Sequence, residues 1–408
     1  MTDERSDLKN LPRVLGSYPE GREVLPGERL LVLVGGLHGN EPAGVRAILK
    51  FFEELKQENL ALHGHVIGLA GNRPALEEGE RYIDCDLNRL WSEDFVAFDR
   101  SRTEVPSAVS EIPRAAELAE FYEQQEILEE LQKALSRKPS QAILLDLHST
   151  SADGSPFAIM ADTLQNRPLA MSLGIPVLLG LEERVEGTLL SWFSEMGHSA
   201  LCVEGGQNGL DSTLEHHLAV IWITLVTAGL VEAENVPRFE THLETLSSTA
   251  WGLPDLCEIR YRYEVPVDTD FRMEPGFTNF HIVSRGTHLA NLTRDGKTTR
   301  IHCPHDGQLI MPRYQGQGND GFFLGTEIPS WALRLSAFLR HLRLGKLVRL
   351  LPGVKSDPKR QRGLIVDKKI ARWKTVEILH LFGYRRRARQ GDKLYFLRRP
   401  DRFEEAAS

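Results

Sequence analysis

The chain has 408 residues, and its 49 Lys and Arg against 57 Asp and Glu give a formal net charge of −8. This length exceeds what one hydrophobic core supports and predicts two or three domains. The charged first residues and the lack of a bilayer-length apolar run argue against a signal peptide and a transmembrane protein. The four cysteines form no Cys-x-x-Cys pair, so we expect reduced thiols and a cytoplasmic protein.

Apolar runs alternate with stretches of helical periodicity over the first 235 residues. Strands are expected near residues 30–36, 65–71, 142–149, 156–161, 177–180 and 200–206, and helices near 42–56, 114–137, 163–172, 187–196 and 211–230. This alternation predicts an α/β fold with a mostly parallel sheet flanked by helices. Between Ser92 and Pro113 the sequence becomes polar and predicts a surface insertion.

The first predicted strand ends in Gly35 and Gly36, and His38 and Glu41 follow it. Pro42 suits the first position of a helix whose later residues keep helical spacing. His38 and Glu41 are therefore predicted on a strand-to-helix turn, at the edge where open α/β sheets bind ligands. An imidazole and a carboxylate three positions apart can bind a metal ion, and a plain polar turn is the alternative.

The next polar cluster starts at Arg81 and contains Asn88 and Arg89. An arginine fork binds a carboxylate through two hydrogen bonds, and a second guanidinium can polarise a carbonyl group. The alternative is a salt-bridged loop in which Asp84 and Asp86 neutralise both arginines.

Residues 142–150 repeat the pattern of an apolar strand with a histidine at its carboxyl end. Asp146 and His148 are two positions apart, so they project from the same face of the strand. His148 joins His38 and Glu41 in a set of three nitrogen and oxygen ligands. Such a set leaves a fourth position for water, which is typical of a catalytic zinc and not of a structural one. A histidine that only packs at the sheet end is the alternative.

The strand near 200–206 brings Glu204 to its end, followed by two glycines. A carboxyl group leaving a buried strand has a raised pKa, which suits a general base. A helix-capping or loop acid is the alternative. The sequence has neither the Gly-x-Ser-x-Gly elbow of a serine hydrolase nor the glycine patterns of a P-loop or a dinucleotide-binding turn.

The composition changes after the predicted catalytic region. Residues 236–254 are polar and predict a domain boundary. Residues 255–330 carry short β runs at 258–265, 279–283 and 301–312, separated by Asp-Gly and Pro-Gly turns, which predict a small β-rich domain. Residues 331–408 form a basic extension, with an amphipathic helix expected over Trp331–Leu351 and a strand over Lys393–Leu397.

The basic extension concentrates positive charge at one end of the chain. From Ala332 onward there are 21 Lys and Arg against 7 Asp and Glu, a balance of +14, so the preceding residues carry −22. This asymmetry indicates an electrostatic role. The partner is a nucleic acid, a membrane surface or the acidic body of the same protein. Docking on the protein's own body is the simplest of these.

Four ordered blocks of this sequence resemble the aspartoacylase and succinylglutamate desuccinylase family of zinc-carboxypeptidase-like amidohydrolases. They are Gly35–Glu41, Arg81–Arg89, Asp146–Thr150 and Val203–Gly206. The resemblance covers about residues 28–230 and extends weakly to about residue 330. It implies zinc ligands at His38, Glu41 and His148, a carbonyl-polarising Arg81, an α-carboxylate clamp of Asn88 and Arg89, a general base at Glu204 and a substrate-binding tyrosine at Tyr314.

The resemblance also implies the reaction, which is hydrolysis of the amide bond of an N-acyl amino acid with one Zn²⁺ per chain. Family members specific for aspartate have an arginine ten positions before the general base, where this chain has Ser194. N-acetylaspartate is therefore not the expected substrate, and Arg184, Asp153 or Ser155 could line the pocket instead. The competing functions are a zinc carboxypeptidase acting on peptides and a nucleic-acid-associated protein that keeps the fold without hydrolysis.

Overall fold

The computed structural model describes residues 6–96, 118–342, 344–358, 360, 362–371, 374–399 and 401. The strands of its amino-terminal part are β1 (Val14–Tyr18), β2 (Arg29–Gly35), β3 (Gly64–Ala70), β4 (Gln141–Thr150), β5 (Phe157–Met160), β6 (Val177–Leu179) and β7 (Ser199–Gln207). Strands β3, β2, β4 and β7 lie side by side and parallel, whereas β1 and β5 run antiparallel to their neighbours β3 and β7. All six predicted strands are present, and β1 was not predicted.

Helices cover both faces of this sheet. They are α1 (Ala43–Glu58), α2 (Arg73–Glu78), α3 (Glu93–Val96), α4 (Ala119–Ser136), α5 (Asn166–Met171), α6 (Leu189–Glu195) and α7 (Asp211–Thr227). On β2, Leu31 and Leu33 pack in the same cluster as α1 and α7, whereas Val32 and Val34 pack with α4 and α6. Successive strand side chains point to opposite faces, so β2 is buried on both sides. The predicted α/β fold with a mostly parallel, helix-flanked sheet is confirmed.

The surface insertion predicted over Ser92–Pro113 lies mostly outside the described residues, as do residues 114–117 of the helix predicted near 114–137. The polar segment predicted as a boundary contains a helix, α8 (Phe239–Ser247). Its Phe239, Leu243 and Leu246 pack onto the cluster that holds α7. The segment is therefore part of the packed body and not a bare linker.

The region after α8 is β-rich, as predicted. Strands β8 (Leu256–Glu264), β10 (His281–Val283), β13 (Gly307–Ile310) and β14 (Asp320–Glu327) extend the large sheet, whose order is β1-β3-β2-β4-β7-β5-β6-β8-β14-β13-β10. Strands β9 (Asp270–Met273), β11 (His288–Arg294) and β12 (Lys297–His302) form a separate sheet. The run predicted at 301–312 is divided between β12 and β13. Since β8 pairs with β6, one sheet crosses the predicted boundary, and the limits 1–235, 255–330 and 331–408 stay predictions.

The basic extension is a folded unit with its own core. It contains α9 (Ser330–His341), β15 (Val354–Ser356), β16 (Gly363–Asp367), α10 (Thr375–Leu381), β17 (Tyr384–Gln390) and β18 (Lys393–Arg398). The helix expected over Trp331–Leu351 is wrong in length, because α9 ends at His341 and a 3₁₀ turn over Leu344–Leu350 follows. Gly345 lies in that turn, and glycine disfavours helix interiors. The strand expected at Lys393–Leu397 is confirmed as β18.

The described part of the chain contains no helix with the length and apolarity needed to cross a membrane. All four cysteines are free thiols, as predicted. Three of them, Cys202, Cys257 and Cys303, are buried.

Candidate metal centre and substrate cleft

The loop between β2 and α1 carries His38 and Glu41, as the sequence predicts. Gly36 turns the chain there with φ of +75°, which residues with a side chain rarely adopt. Gly39 packs directly on the backbone of Ala75 in α2, where any side chain would overlap the Ala75 carbonyl group. These two glycines hold the loop close to α2 and turn both candidate ligands inward.

His38, Glu41 and His148 meet at the carboxyl ends of β2 and β4. Their potential ligand atoms all lie within 4.8 Å of one another, and all three side chains are buried. Glu41 Oε1 lies 3.0 Å from His38 Nδ1, and Glu41 Oε2 lies 3.0 Å from His148 Nδ1. This is the set expected from the sequence. Two imidazole nitrogens and a carboxylate are donors that suit Zn²⁺.

The other ring nitrogen of each histidine contacts a carboxylate. His38 Nε2 lies 3.1 Å from Asp86 Oδ1, and His148 Nε2 lies 3.0 Å from Asp146 Oδ2. Metal-binding histidines usually donate their second ring N–H to such a group, which fixes the ring orientation. Both imidazoles therefore turn Nδ1 toward Glu41, with Nε2 of His38 hydrogen-bonded to Asp86 and Nε2 of His148 in ion-pair contact with Asp146, whose oxygens have no hydrogen-bond partner. Because both histidines turn Nδ1 toward Glu41, the residues present fit a zinc ion.

Unlike charges stabilise one another within this cluster. Burial alone would raise the pKa of Glu41, but His38 and His148 hold that pKa well below its usual value. Burial alone would lower the pKa of His148, yet Asp146 and Glu41 hold it well above its usual value. The Glu41 carboxylate is therefore ionised and able to act as a ligand.

Asp146, His148 and Cys202 form a second group with metal-ligand spacing, also within 4.8 Å. Burial raises the pKa of the Cys202 thiol well above its usual value, and Asp146 raises it further. A thiol binds metal as the thiolate, so this second group is the poorer donor set.

Arg81 reaches the same carboxylates from the loop after α2. Its Nη1 lies 3.2 Å from Glu41 Oε1, and its Nη2 lies 3.2 Å from Asp86 Oδ2. Burial lowers the pKa of Arg81, but Asp86 and Glu41 outweigh that effect and raise it. Arg81 is thus a fixed cation beside the candidate metal position. Asp86 contacts both His38 and Arg81, so the arrangement combines a salt-bridged loop with a candidate metal site.

Asn88 and Arg89 lie on a 3₁₀ turn that follows Asp86. The Asp86 carboxylate accepts the Asn88 backbone N–H at 2.9 Å and so caps this turn. The amide oxygen of Asn88 accepts the Leu189 backbone N–H at 2.9 Å. The Arg89 Nη2 lies 3.0 Å from Asp320 Oδ2. Asn88 is therefore firmly placed, whereas the charge of Arg89 is shared with a carboxylate from β14.

Glu204 lies within β7, opposite His148 in the parallel ladder with β4. The strand continues to Gln207, so Glu204 is inside the strand and not just beyond it. The side chain is buried, and its Oε2 has no hydrogen-bond partner. Burial raises the pKa of Glu204 to about 7, although the nearby His148 opposes the shift. This carboxyl group can exchange a proton near neutral pH.

These residues form the floor of a cleft of about 970 Å³ that is open to solvent. The loop between β13 and β14 forms one wall. Its Gln315 accepts a hydrogen bond from Asn40 Nδ2 at 2.8 Å, and its Gln317 accepts one from the Arg81 backbone N–H at 2.9 Å. A wall from the β-rich region therefore contacts both loops of the candidate metal centre.

Tyr314 belongs to this loop but does not lie in the cleft wall. Its neighbours Arg313 and Gln315 line the cleft instead. The Tyr314 hydroxyl donates to the Glu274 carbonyl at 2.9 Å and accepts the Phe277 backbone N–H at 3.0 Å. This position does not support the predicted substrate-binding role, because the hydroxyl is occupied by backbone groups.

Other residues singled out in the sequence also lie away from the cleft walls that the described residues form. They are Ser194, Arg184, Asp153 and Ser155. Arg184 donates instead to the Arg260 carbonyl.

Sequence reasoning missed Arg313 and Asp320, which line the cleft. The β13–β14 loop has no motif of its own, and only its long-range contacts bring it to Arg81 and Arg89. Asp146 was placed on the correct face of its strand, but its contact with His148 Nε2 was not anticipated.

Residues 27–221 match the family model described as the succinylglutamate desuccinylase/aspartoacylase catalytic domain. The chain is 34% identical over 231 residues to a probable aspartoacylase of Prochlorococcus marinus. The matched region is 55% of this chain and 64% of that protein. The chain is 36% identical over 80 residues to a succinylglutamate desuccinylase of Photorhabdus laumondii, which covers 19% of this chain and 25% of that protein. The chain thus matches less than two thirds of the length of these relatives.

Solved structures give the same fold. A succinylglutamate desuccinylase/aspartoacylase from Rhodobacter sphaeroides superposes with a TM-score of 0.51 at 18% identity, covering 75% of this chain and 87% of that one. A succinylglutamate desuccinylase from Vibrio cholerae gives a TM-score of 0.50 at 15% identity, covering 84% of this chain and 86% of that one. In sequence over residues 27–221, and in fold over most of its length, the chain is therefore similar to the succinylglutamate desuccinylase/aspartoacylase family.

Proposed function

We propose that this protein is a zinc-dependent deacylase that hydrolyses the amide bond of an N-acyl amino acid. The observation that carries the proposal is the position of Glu204. Its carboxyl group has a free oxygen and a pKa of about 7, and it shares a cleft with the three candidate metal ligands. A proton acceptor beside a metal position is what amide hydrolysis by water requires. The cytoplasm stays the expected location.

His38, Glu41 and His148 are the residues that would hold the ion. A bound Zn²⁺ supplies Lewis acidity and lowers the pKa of water to about 7. Asp86 and Asp146 would keep the two imidazoles oriented through their Nε2 atoms.

Glu204 accepts a proton from the attacking water and then delivers it to the departing amine, so one carboxyl group serves as base and as acid. Its burial keeps the pKa in the range where both transfers are efficient. Arg81 donates to the carbonyl oxygen as negative charge develops there. Its Nε is buried without an acceptor, so this guanidinium has hydrogen-bonding capacity left beside Glu41 and Asp86.

Asn88 and Arg89 bind the α-carboxylate of the substrate and so hold the scissile amide over the cleft floor. Arg89 pairs with Asp320 at 3.0 Å. A substrate carboxylate competes with Asp320 for this guanidinium. The names of the relatives, succinylglutamate desuccinylase and probable aspartoacylase, point to N-acyl amino acids as the substrate class.

The contacts of the basic extension favour the proposal over a nucleic-acid-associated function. Arg385 lies 2.9 Å from Asp162 Oδ2 and 3.1 Å from Glu258 Oε1, both on the acidic body. Arg340 lies 2.6 Å from Asp162 Oδ2. These arginines form ion pairs with carboxylates of the same chain, which supports docking of the basic extension on the acidic body of the protein.

A hydrolysis panel tests the proposed function. Zinc-loaded protein is assayed for amine release from N-acyl amino acids with different acyl groups and from dipeptides and tripeptides, beside the Glu204→Gln variant. Release from N-acyl amino acids by the wild type alone is the expected result. Faster release from peptides would favour a carboxypeptidase, and no release from any substrate would contradict the proposal.

A further inference from the structure

Arg313 is a buried arginine in the cleft wall that makes no ion pair with a carboxylate within the described residues. The residue is 9% exposed. Its Nη1 donates to the Gly318 carbonyl, and its guanidinium carbon lies 5.0 Å from the centre of the Phe271 ring. Its Nε is buried and has no acceptor. The side chain is thus fixed in place without an ion pair of its own, and only the more distant charges of Asp320 and Asp270 partly offset its charge.

The other arginines around this cleft differ from Arg313. Arg81 pairs with two carboxylates, and Arg89 pairs with Asp320 Oδ2 at 3.0 Å. Arg262 occupies the second oxygen of Asp320 at 2.5 Å. Both oxygens of Asp320 therefore pair with guanidinium groups other than that of Arg313.

A charge removed from water is costly unless it finds a partner of opposite sign. Burial lowers the pKa of Arg313, yet a guanidinium stays protonated in proteins. Held beside an open cleft, such a group is a ready binding site for a planar anion, above all a carboxylate that accepts two hydrogen bonds.

We propose that Arg313 is a specificity-determining residue that binds a second carboxylate of the substrate, apart from the α-carboxylate assigned to Arg89. The inference rests on the proposed function and narrows it to dianionic N-acyl amino acids. The second carboxylate belongs either to the acyl chain or to the amino-acid side chain. A guanidinium binds a carboxylate from either source in the same way. The substrates in the test therefore distinguish an acyl-chain carboxylate from a side-chain carboxylate.

The test compares three substrates: N-acetylalanine with one carboxylate, N-acetylglutamate with a second on the side chain, and N-succinylalanine with a second on the acyl chain. Wild type, Arg313→Met, Arg313→Lys and the control Arg184→Met, which changes an arginine outside the cleft wall, are assayed for KM and kcat. Loss of a charge-assisted hydrogen bond should raise KM about tenfold or more for one dianionic substrate. KM for N-acetylalanine should stay within about twofold.

Arg313→Lys should fall between wild type and Arg313→Met, because lysine keeps the charge without the fork. The control Arg184→Met should match the wild type. Equal changes for all three substrates, or no change for any of them, would overturn the role of Arg313 while leaving the deacylase proposal intact.

A binding measurement keeps the inference testable even if the wild type hydrolyses none of the three substrates, a result that contradicts the proposed function. Calorimetry with glutarate and butyrate compares a dicarboxylate with a monocarboxylate on wild type and Arg313→Met. Tighter binding of glutarate than of butyrate in the wild type alone is expected. The same preference in both proteins, or none in the wild type, would overturn the inference.

Discussion

Glu204 and His148 occupy partner positions on the neighbouring parallel strands β7 and β4. Two residues earlier in each strand, and on the same face of the sheet, Cys202 lies opposite Asp146. A shift of the ladder by one residue would turn these side chains to the other face of the sheet. The register of two buried strands therefore brings a candidate metal ligand, its anchoring carboxylate and a candidate base into one cleft.

Asp146→Asn should weaken zinc binding by about 10- to 100-fold, because His148 loses the carboxylate that orients its ring. Zinc affinity measured by competition with a chelating dye checks this. Asp153→Asn, which changes an exposed acid outside the cleft wall, is the matched control. Unchanged zinc affinity in Asp146→Asn would contradict the role of Asp146. Full zinc occupancy in a His38→Ala, His148→Ala double variant would contradict the assignment of the metal site itself.

The stability of the metal-free protein should depend on pH through Glu204. Burial raises the pKa of this carboxyl group from 4.5 to about 7. A carboxyl group with a raised folded pKa stabilises the fold below its unfolded pKa, and that contribution is lost as pH rises through the folded pKa. A shift of this size corresponds to about 3 kcal/mol.

We therefore expect the free energy of unfolding of the wild type to fall by about 3 kcal/mol relative to Glu204→Gln between about pH 4.5 and about pH 8. Urea titrations of both metal-free proteins across this range measure the difference. Parallel pH profiles would mean that the carboxyl group is not perturbed by burial.

Arg89→Ala should impair substrates that carry a free α-carboxylate and leave their carboxyl-amidated analogues nearly unchanged. Only the free acid offers an anion for the guanidinium, and its loss should reduce kcat/KM by about tenfold or more. The kcat/KM of Asp320→Asn for the same substrates is a second test of the clamp, since this change frees Arg89 from its partner at 3.0 Å. If Arg89→Ala weakens free and amidated substrates equally, the clamp assignment fails.

Arg385→Ala should destabilise the folded protein by about 3–5 kcal/mol, because it leaves buried carboxylates without their cation. Arg385 is 7% exposed and contacts Asp162 and Glu258 on the body. Arg300→Ala, at an exposed position of β12, is the control. Thermal unfolding measures both variants. An unchanged melting temperature, together with loss of salt-sensitive DNA binding, would favour the nucleic-acid alternative.

The sequence was most informative where local pattern and chemistry coincide. The apolar run of β2, its glycines and His38 form one contiguous signal, and the same holds for β4 with His148. Helix α8 carries Phe239, Leu243 and Leu246 at helical spacing, but its polar residues concealed that signal. Local pattern was thus sufficient for six strands of the sheet and for the candidate ligands, but not for β1 or for the continuation of the sheet into β8, β14, β13 and β10.

The wall of the cleft could not be predicted in this way. Arg313 and Asp320 come to the floor through contacts such as that of Gln317 with Arg81, which are far apart in sequence. Tyr314 was expected at the cleft by resemblance, yet the direction of the loop places Arg313 and Gln315 there instead. Such orientations depend on tertiary packing and leave no periodic trace in the sequence.

The most direct test of the central claim is turnover of an N-acyl amino acid by Glu204→Gln with its zinc content measured in the same sample. We expect about one zinc per chain in both proteins. The rate of the variant should be about 10²- to 10⁴-fold below that of the wild type, as expected for loss of a general base. Near wild-type turnover by a fully zinc-loaded Glu204→Gln protein would contradict the account.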